Sequence, residues 1–196
     1  MGVTFRELTW AWVTVFEAMT VHRYKAFLLI ILNLALAAPA MALSVYETQA
    51  EFLSRAFGQS PPEPAILWLS GERKSAVRQL LSHDYSALRL RYWCQRERSA
   101  WILDEIGKDL PITVGVVVEK DFIKSLRVLT YRESRGGEVA TPAFTDQFDG
   151  SSLQDNAKLS TTIDGISGAT LSVRALTRLA AMALYLHADS GCYSGT

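Results

Sequence analysis

Two strand-like segments with a short connection between them constrain the fold of this chain most strongly. The first covers residues 112–118 and the second residues 123–131, and the sequence Glu-Lys-Asp-Phe at 119–122 separates them. Two strand-like segments joined by a short connection are typical of a β-hairpin. We therefore predict a hairpin over residues 112–131.

The other predicted elements do not alternate in a regular order. Apolar side chains recur at every second position from 88 to 92, which is the period of a strand, and residues 100–105 are the predicted partner strand. We also predict a short strand over 65–69 and helices over 47–57, 73–81 and from 170 onward. A parallel βαβ fold requires alternating strands and helices, so we predict an α+β fold whose sheet is mainly antiparallel and packed with helices.

The composition of the chain narrows the class of protein. With 196 residues and 49% hydrophobic content, the chain can form one well-buried domain with a short extension. Its formal net charge is +0, and the sequence has no basic patch or stripe. Such a patch is the usual sign of nucleic-acid binding, so we expect no nucleic-acid partner.

The N-terminal segment has the form of an export signal. His22, Arg23 and Lys25 precede an apolar run over residues 26–38, and Ala-Met-Ala at 40–42 supplies the small residues that a signal peptidase reads. We predict cleavage after Ala42, which places the domain in the periplasm or on the extracytoplasmic face of the membrane.

Two further features of this segment leave alternatives open. Residues 26–43 are just long enough to span a bilayer, so an uncleaved membrane anchor is the alternative to cleavage. Met19 begins a signal peptide of normal form, and we interpret residues 1–18 as an over-extended gene start.

Cys94 and Cys192 are the two cysteines of the chain, and both follow the signal segment. An even number of cysteines in an oxidising compartment permits one disulfide, and two separate thiols are the alternative. Their spacing predicts neither a zinc site nor an iron–sulfur site.

The motif Asp164-Gly165-Ile166-Ser167-Gly168-Ala169-Thr170 precedes the predicted C-terminal helix. It has the form Asp-x-x-Ser/Thr-Gly-Ala-Thr/Ser, which average residue usage would produce in a chain of this length on the order of once in a thousand sequences. Its parts also have an ordinary interpretation, because Asp-Gly and Ser-Gly occur in turns and a threonine often caps a helix.

This motif resembles the site at which a flavin transferase attaches FMN, through its phosphate, to a threonine hydroxyl. The resemblance implies that Thr170 is the covalent anchor of FMN. The small residues before Thr170 leave its hydroxyl accessible, and the start of a helix favours a phosphate. Arg174 and Arg178 lie one and two turns further on and could add positive charge.

Three other segments extend the resemblance to the FMN-binding domain family, over roughly residues 85–190. That family includes the G subunit of the Rnf electron-transport complex and the C subunit of the sodium-pumping NADH:quinone reductase. The predicted hairpin resembles the central hairpin of the family, and residues 144–150 resemble its Phe-x-x-Gln-Phe-x-Gly segment. Residues 133–137, Glu-Ser-Arg-Gly-Gly, lie where the family usually has Glu-Thr-Pro-Gly-Leu-Gly, so Arg135 stands in place of the proline.

The resemblance implies a domain organisation and a set of flavin-binding residues. Residues 1–42 form the signal segment, 43–84 an N-terminal helical extension and 85–196 the FMN-binding domain. The residues implied to bind the cofactor, besides Thr170, are Asp164, Gly165, Ser167, Gly168, Ala169, Leu171, Glu133 and Gln147.

The function implied is that of an exported electron carrier, loaded by a flavin transferase and exchanging electrons with a membrane-associated redox partner. A small flavin-dependent reductase is the second hypothesis, although no acid–base pair and no nicotinamide fingerprint are evident. A non-redox assembly module is the third.

His83 and His187 have no partner that the sequence identifies, so we assign them no catalytic role. We predict that Trp68, Trp93 and Trp101 belong to the core, although one aromatic residue could stack on the flavin ring.

Overall fold

The computed structural model describes residues 43–192, and their central element is a six-stranded sheet. Its strands are β1 (Ser44–Val45), β2 (Pro64–Trp68), β3 (Arg89–Gln95), β4 (Arg98–Ile106), β5 (Pro111–Glu119) and β6 (Phe122–Tyr131). They lie in the order β1-β6-β5-β4-β3-β2, and every neighbouring pair is antiparallel. The predicted α+β fold with an antiparallel sheet is confirmed. The predictions on the signal segment, the anchor and the start at Met19 fall on residues outside the described range.

The predicted hairpin is formed by β5 and β6. Its turn contains Lys120, which has a φ of 57°. Strand β5 lies between β4 and β6 and is buried on both faces, with Val114, Val116 and Val118 at 0% exposure and Val117 at 3%. A strand buried on both faces is continuously apolar, which explains the sequence of this segment.

Within residues 43–192, four α-helices accompany the sheet. They are α1 (Gln49–Phe57), α2 (Gly71–Leu81), α3 (Pro142–Thr145) and α4 (Thr170–Asp189). Helix α4 covers one face of the sheet, where Leu176, Leu179 and Met182 are fully buried in the larger core. Helix α1 covers part of the other face, where a Cβ on Gly115 would lie 2.6 Å from the Phe52 ring, so glycine is required at that position.

The segment over residues 43–84 contributes to the sheet at both of its edges. Strand β1 pairs with β6 at one edge, and β2 pairs with β3 at the other. The predicted boundary between an extension and a domain at residue 85 remains a prediction. None of the helices within residues 43–192 combines the length and the apolar character that crossing a membrane requires.

A disulfide joins Cys94 in β3 to Cys192, just beyond the end of α4, with a Cα–Cα distance of 5.8 Å. It therefore fixes the C-terminal end of the long helix to the sheet. The sequence left this pairing open, and the structure contains the bonded form.

Two of the three tryptophans predicted to be in the core are there. Trp93 and Trp101 are buried, and the Trp101 ring stacks on Tyr92 with centroids 4.7 Å apart. The prediction for Trp68 is wrong, because its side chain on the edge strand β2 is 58% exposed.

Each of the two described histidines contacts another residue through its ring nitrogens. His187 is buried, and its Nδ1 lies 2.7 Å from the Ser99 hydroxyl. Burial lowers the pKa of this ring. The exposed His83 contacts the backbone oxygen of Asp84, which is the largest cause of its raised pKa, and its Nε2 lies 2.8 Å from a carboxylate oxygen of Glu105.

Candidate functional site

Thr170 is the first residue of the 20-residue helix α4, and its side chain is exposed. Within residues 43–192, the Thr170 hydroxyl has no hydrogen-bond partner. The preceding residue, Ala169, offers no side-chain cap, and the first helical hydrogen bond runs from Val173 N–H to the Ala169 oxygen at 3.0 Å. The opening turn of α4 therefore presents unpaired backbone donors and a positive dipole end beside an accessible hydroxyl.

The turn before Thr170 depends on Gly168. Its φ is +81°, a conformation that residues with a Cβ rarely adopt, and no atom lies within 4 Å of the position a Cβ would take. The turn closes through a 3.0 Å hydrogen bond from Ala169 N–H to the Ile166 oxygen. Gly165 lies in open space and has no positive φ, so neither conformation nor packing requires a glycine there.

The segment over residues 133–137 packs directly against this turn. A Cβ on Gly136 would lie 2.9 Å from the Ala169 Cβ and 2.9 Å from the Tyr131 hydroxyl, and its φ is +82°. Tyr131 donates a hydrogen bond to the backbone oxygen of Arg135 at 2.5 Å and lies 3.1 Å from the Ser172 hydroxyl. Burial raises the pKa of Tyr131, so its phenol stays protonated and links the two segments.

Glu133 is a buried carboxylate that fixes the connection between β4 and β5. Its Oε1 accepts hydrogen bonds from the backbone N–H groups of Lys108, Asp109 and Leu110 at 2.7, 2.6 and 2.9 Å. Burial alone would raise the pKa of Glu133, but the three donors outweigh it and lower that pKa. The group is therefore held as a carboxylate and gives Lys108 and Asp109 a defined position beside Thr170.

Just as Glu133 holds the connection between β4 and β5, the side chain of Gln147 holds the backbone at the start of the motif. Its Oε1 accepts a hydrogen bond from Asp164 N–H at 2.8 Å, and it lies in the short 3-10 helix Asp146–Phe148. The Asp164 side chain is exposed, and among the described residues its carboxylate has no partner. The Asp164 carboxylate is therefore accessible from the solvent, and its backbone is held in place by Gln147.

Two cavities flank the motif. The first, which we call the anchor pocket, measures about 580 Å³ and is lined by Lys108, Asp109, Glu133, Ser134, Arg135 and residues 168–172, which include Thr170 and Leu171. The second, the glycine groove, measures about 900 Å³ and is lined by Tyr46, Ser134, Arg135, Gly136, Gly137, Glu138, Ala140, Thr141, Pro142, Ser167 and Gly168. Both are lined by Ser134, Arg135 and Gly168, so the two cavities adjoin each other at these residues.

The structure thus brings together most of the residues predicted from the sequence. Ser167, Gly168, Ala169, Leu171 and Glu133 line one or both cavities. Asp164, Gly165 and Gln147 line neither; Gln147 acts through its contact with Asp164. Several residues of the site were not predicted from the sequence. Tyr46 and Lys108 come from segments without a recognisable motif, and Tyr131 ends the predicted hairpin, where the sequence pattern indicates a strand residue and not a contact with the site.

The charges around the anchor pocket are mixed. Lys108 forms an exposed ion pair with Asp109 at 3.6 Å. The guanidinium of Arg135 makes no hydrogen bond or ion pair with any other described residue, although it lies at the junction of the two cavities. Arg178 bonds to Ser82 and, like Arg174, lines neither cavity. Within residues 43–192, no group of three or more His, Cys, Asp or Glu side chains is placed to hold a metal ion.

Part of the chain matches a known protein family. The family model of the FMN-binding domain matches residues 107–185, which include the β5–β6 hairpin, residues 133–137 and the motif that ends at Thr170. A comparison with curated proteins found no match. The match confirms the resemblance seen in the sequence, and it supports FMN as the ligand of this site.

The residues of the anchor pocket fit such a ligand. A phosphate group is favoured by the unpaired donors of a helix N-terminus and by the two nearby cationic side chains. The accessible hydroxyl of Thr170 lies beside them. The adjoining glycine groove has a mainly small and apolar lining, which is suited to a flat aromatic ring system.

Proposed function

We propose that this flavin-binding protein carries FMN covalently, as a phosphoester on the Thr170 hydroxyl, and acts in extracytoplasmic electron transfer. The proposal rests on the accessibility of the Thr170 hydroxyl and on its place at the start of α4. Its hydroxyl is exposed, lacks a hydrogen-bond partner among the described residues and opens an uncapped helix within the complete Asp-x-x-Ser-Gly-Ala-Thr motif.

Several groups of the chain would hold the phosphate. The backbone N–H groups of the first turn of α4 would donate hydrogen bonds to it, and Lys108 and Arg135 would offset its negative charge. Glu133 would keep the Lys108 loop in position. When bound, the flavin supplies the redox chemistry, whereas the protein contributes binding, orientation and the electrostatic environment.

The surroundings of the motif favour a carrier over an enzyme. Glu133 is the buried carboxylate of the anchor pocket, and its lowered pKa and three backbone donors make it a weak general base. Neither described histidine lines either cavity. A carrier requires only an accessible flavin, and both cavities open to the surface. Saturable turnover of one particular metabolite by the loaded protein would contradict the carrier role.

The N-terminal sequence supports the proposal of export, and the chemistry of covalent attachment supports the proposed partners. We propose that a flavin transferase loads the protein outside the cytoplasm and that a membrane-associated redox partner supplies or accepts electrons. A covalent bond prevents loss of the flavin from a compartment that does not make it. Sequencing the N-terminus of exported protein should give Leu43, whereas an N-terminus upstream of residue 26 on membrane-bound material would indicate an anchor.

The decisive experiment measures the mass of the protein after co-expression with a flavin transferase. The wild type should gain the mass of FMN less one water and fluoresce on a denaturing gel. Thr170→Ala should lose both signals while keeping its fold by circular dichroism. Thr170→Ser is the matched control, because it retains an acceptor hydroxyl and should still be loaded. Covalent flavin on Thr170→Ala would overturn the assignment.

A further inference from the structure

Tyr46 is an aromatic residue outside the matched domain that lines the glycine groove. It follows β1 directly, and its backbone N–H donates to the Leu129 oxygen at 2.9 Å, so the edge of the sheet fixes its position. Its side chain is nevertheless 52% exposed. A Cβ on Gly137 would lie 3.2 Å from the Tyr46 hydroxyl oxygen, so the phenol oxygen lies beside Gly137 in the groove.

The lining of the groove leaves room for a flat ligand beside the Tyr46 side chain. Most of its lining consists of glycine, alanine, proline and small hydroxyl residues, which leave a wide surface without bulky side chains. Tyr46 is the only aromatic residue among the described residues that line the two cavities. The groove adjoins the anchor pocket, which Thr170 lines, because Ser134, Arg135 and Gly168 line both cavities, so a group attached at Thr170 lies beside the groove.

We propose that the glycine groove is the site of the isoalloxazine ring and that Tyr46 forms its aromatic wall. The inference rests on the proposed function, since it takes FMN as the ligand, and it adds a binding residue that lies 61 positions before the matched domain begins (107 − 46). Aromatic rings prefer offset-stacked or edge-to-face contact, and the half-exposed Tyr46 has a free surface for it.

Contact between a phenol and a flavin has a spectroscopic consequence. A phenol is an electron-rich aromatic ring, and when it touches an excited flavin it transfers an electron and quenches the flavin fluorescence. The electron returns at once, so nothing is consumed. This quenching requires near contact, so flavin fluorescence in the folded protein reports directly on whether an oxidisable side chain adjoins the ring.

The test compares the fluorescence of native, FMN-loaded full-length proteins. Tyr46→Leu should raise the native fluorescence severalfold over that of the wild type, and both proteins should fluoresce equally once denatured. Tyr46→Phe should also raise it, because phenylalanine keeps the ring but is not readily oxidised. Trp68→Leu is the matched control, since Trp68 is 58% exposed on β2, at the edge of the sheet opposite β1, and its loss should leave the fluorescence unchanged.

The possible outcomes separate this inference from the proposed function. Equal native fluorescence of the wild type and Tyr46→Leu, with equal covalent loading on the denaturing gel, would overturn the role of Tyr46 and leave the anchor assignment intact. If the wild type gained no covalent flavin, the same variants would be titrated with free FMN. Quenching on binding that Tyr46→Leu lacks would then support the ring site, and no binding by the wild type would overturn it.

Discussion

The side-chain oxygen of Gln147 accepts a hydrogen bond from the backbone N–H of Asp164 at 2.8 Å, and this contact joins two segments that the sequence presents separately. Gln147 lies in the segment that resembles Phe-x-x-Gln-Phe-x-Gly, and Asp164 opens the motif that ends at Thr170. The position of the attachment motif therefore depends on a side chain 17 residues before it.

Loss of this contact should impair attachment of FMN more than it impairs folding. Gln147→Leu removes the acceptor, which should cost about 0.5–1.5 kcal/mol of stability, the usual net value of one hydrogen bond. It should also slow flavin loading, because the start of the motif is no longer fixed. The measurements are chemical denaturation and the rate at which gel fluorescence appears. Gln147→Glu retains an acceptor oxygen as the control, and wild-type loading of Gln147→Leu would show that the contact is dispensable.

The two glycines of the motif should respond differently to the same substitution. Gly168→Ala places a Cβ on a residue with φ of +81°, which should cost about 1–2 kcal/mol through backbone strain alone, since the space around it is open. Gly165→Ala has open space and no positive φ, so its stability should change by less than about 0.5 kcal/mol. Thermal denaturation measures both. Equal destabilisation by the two variants would contradict the conformational argument for Gly168.

Glu133 should make part of the stability depend on pH. Its pKa in the folded protein is lowered from the ordinary value of 4.5, so its contribution to stability is present above that value. The contribution is lost as the pH falls through the lowered folded pKa, because protonation weakens the acceptor of the three N–H groups. Denaturation series between neutral pH and about pH 3 should therefore show a steeper loss for the wild type than for Glu133→Gln. Parallel curves would assign the acid sensitivity to other carboxylates.

The elements that the sequence predicted well are those with local periodicity. The hairpin of β5 and β6 and the start of α4 at Thr170 both follow from repeating apolar positions and from turn residues next to them. Trp68 shows why the same reasoning failed for a side chain on an edge strand. An apolar residue in a strand is buried only if another element covers its face, and the sequence of β2 does not say where α1 lies.

The contacts that complete the site could not be predicted for a different reason. Tyr131 and Ser172 are 41 residues apart, and Tyr46 reaches Gly137 across an even longer separation. No repeating pattern marks such pairs, because they depend on how β1, β6 and α4 come together in the fold. Glu133 was identified through the family segment, but its role as acceptor for the β4–β5 connection required the three-dimensional structure.

Arg135 should raise the reduction potential of the bound flavin, because a cation stabilises the negative charge that reduction adds. Its guanidinium is exposed and unpaired within the described residues, and exposed charges interact by about 0.2–1 kcal/mol. For a two-electron couple, that energy corresponds to about 4–20 mV. Arg135→Gln should lower the midpoint potential by this amount in spectroscopic redox titrations at low salt.

The difference should shrink near 1 M salt, where charges are screened within about 3 Å. Arg174→Gln, which also removes an exposed charge from a residue that lines neither cavity, should leave the potential unchanged. An equal shift in both variants would attribute the effect to net charge rather than to the position of Arg135.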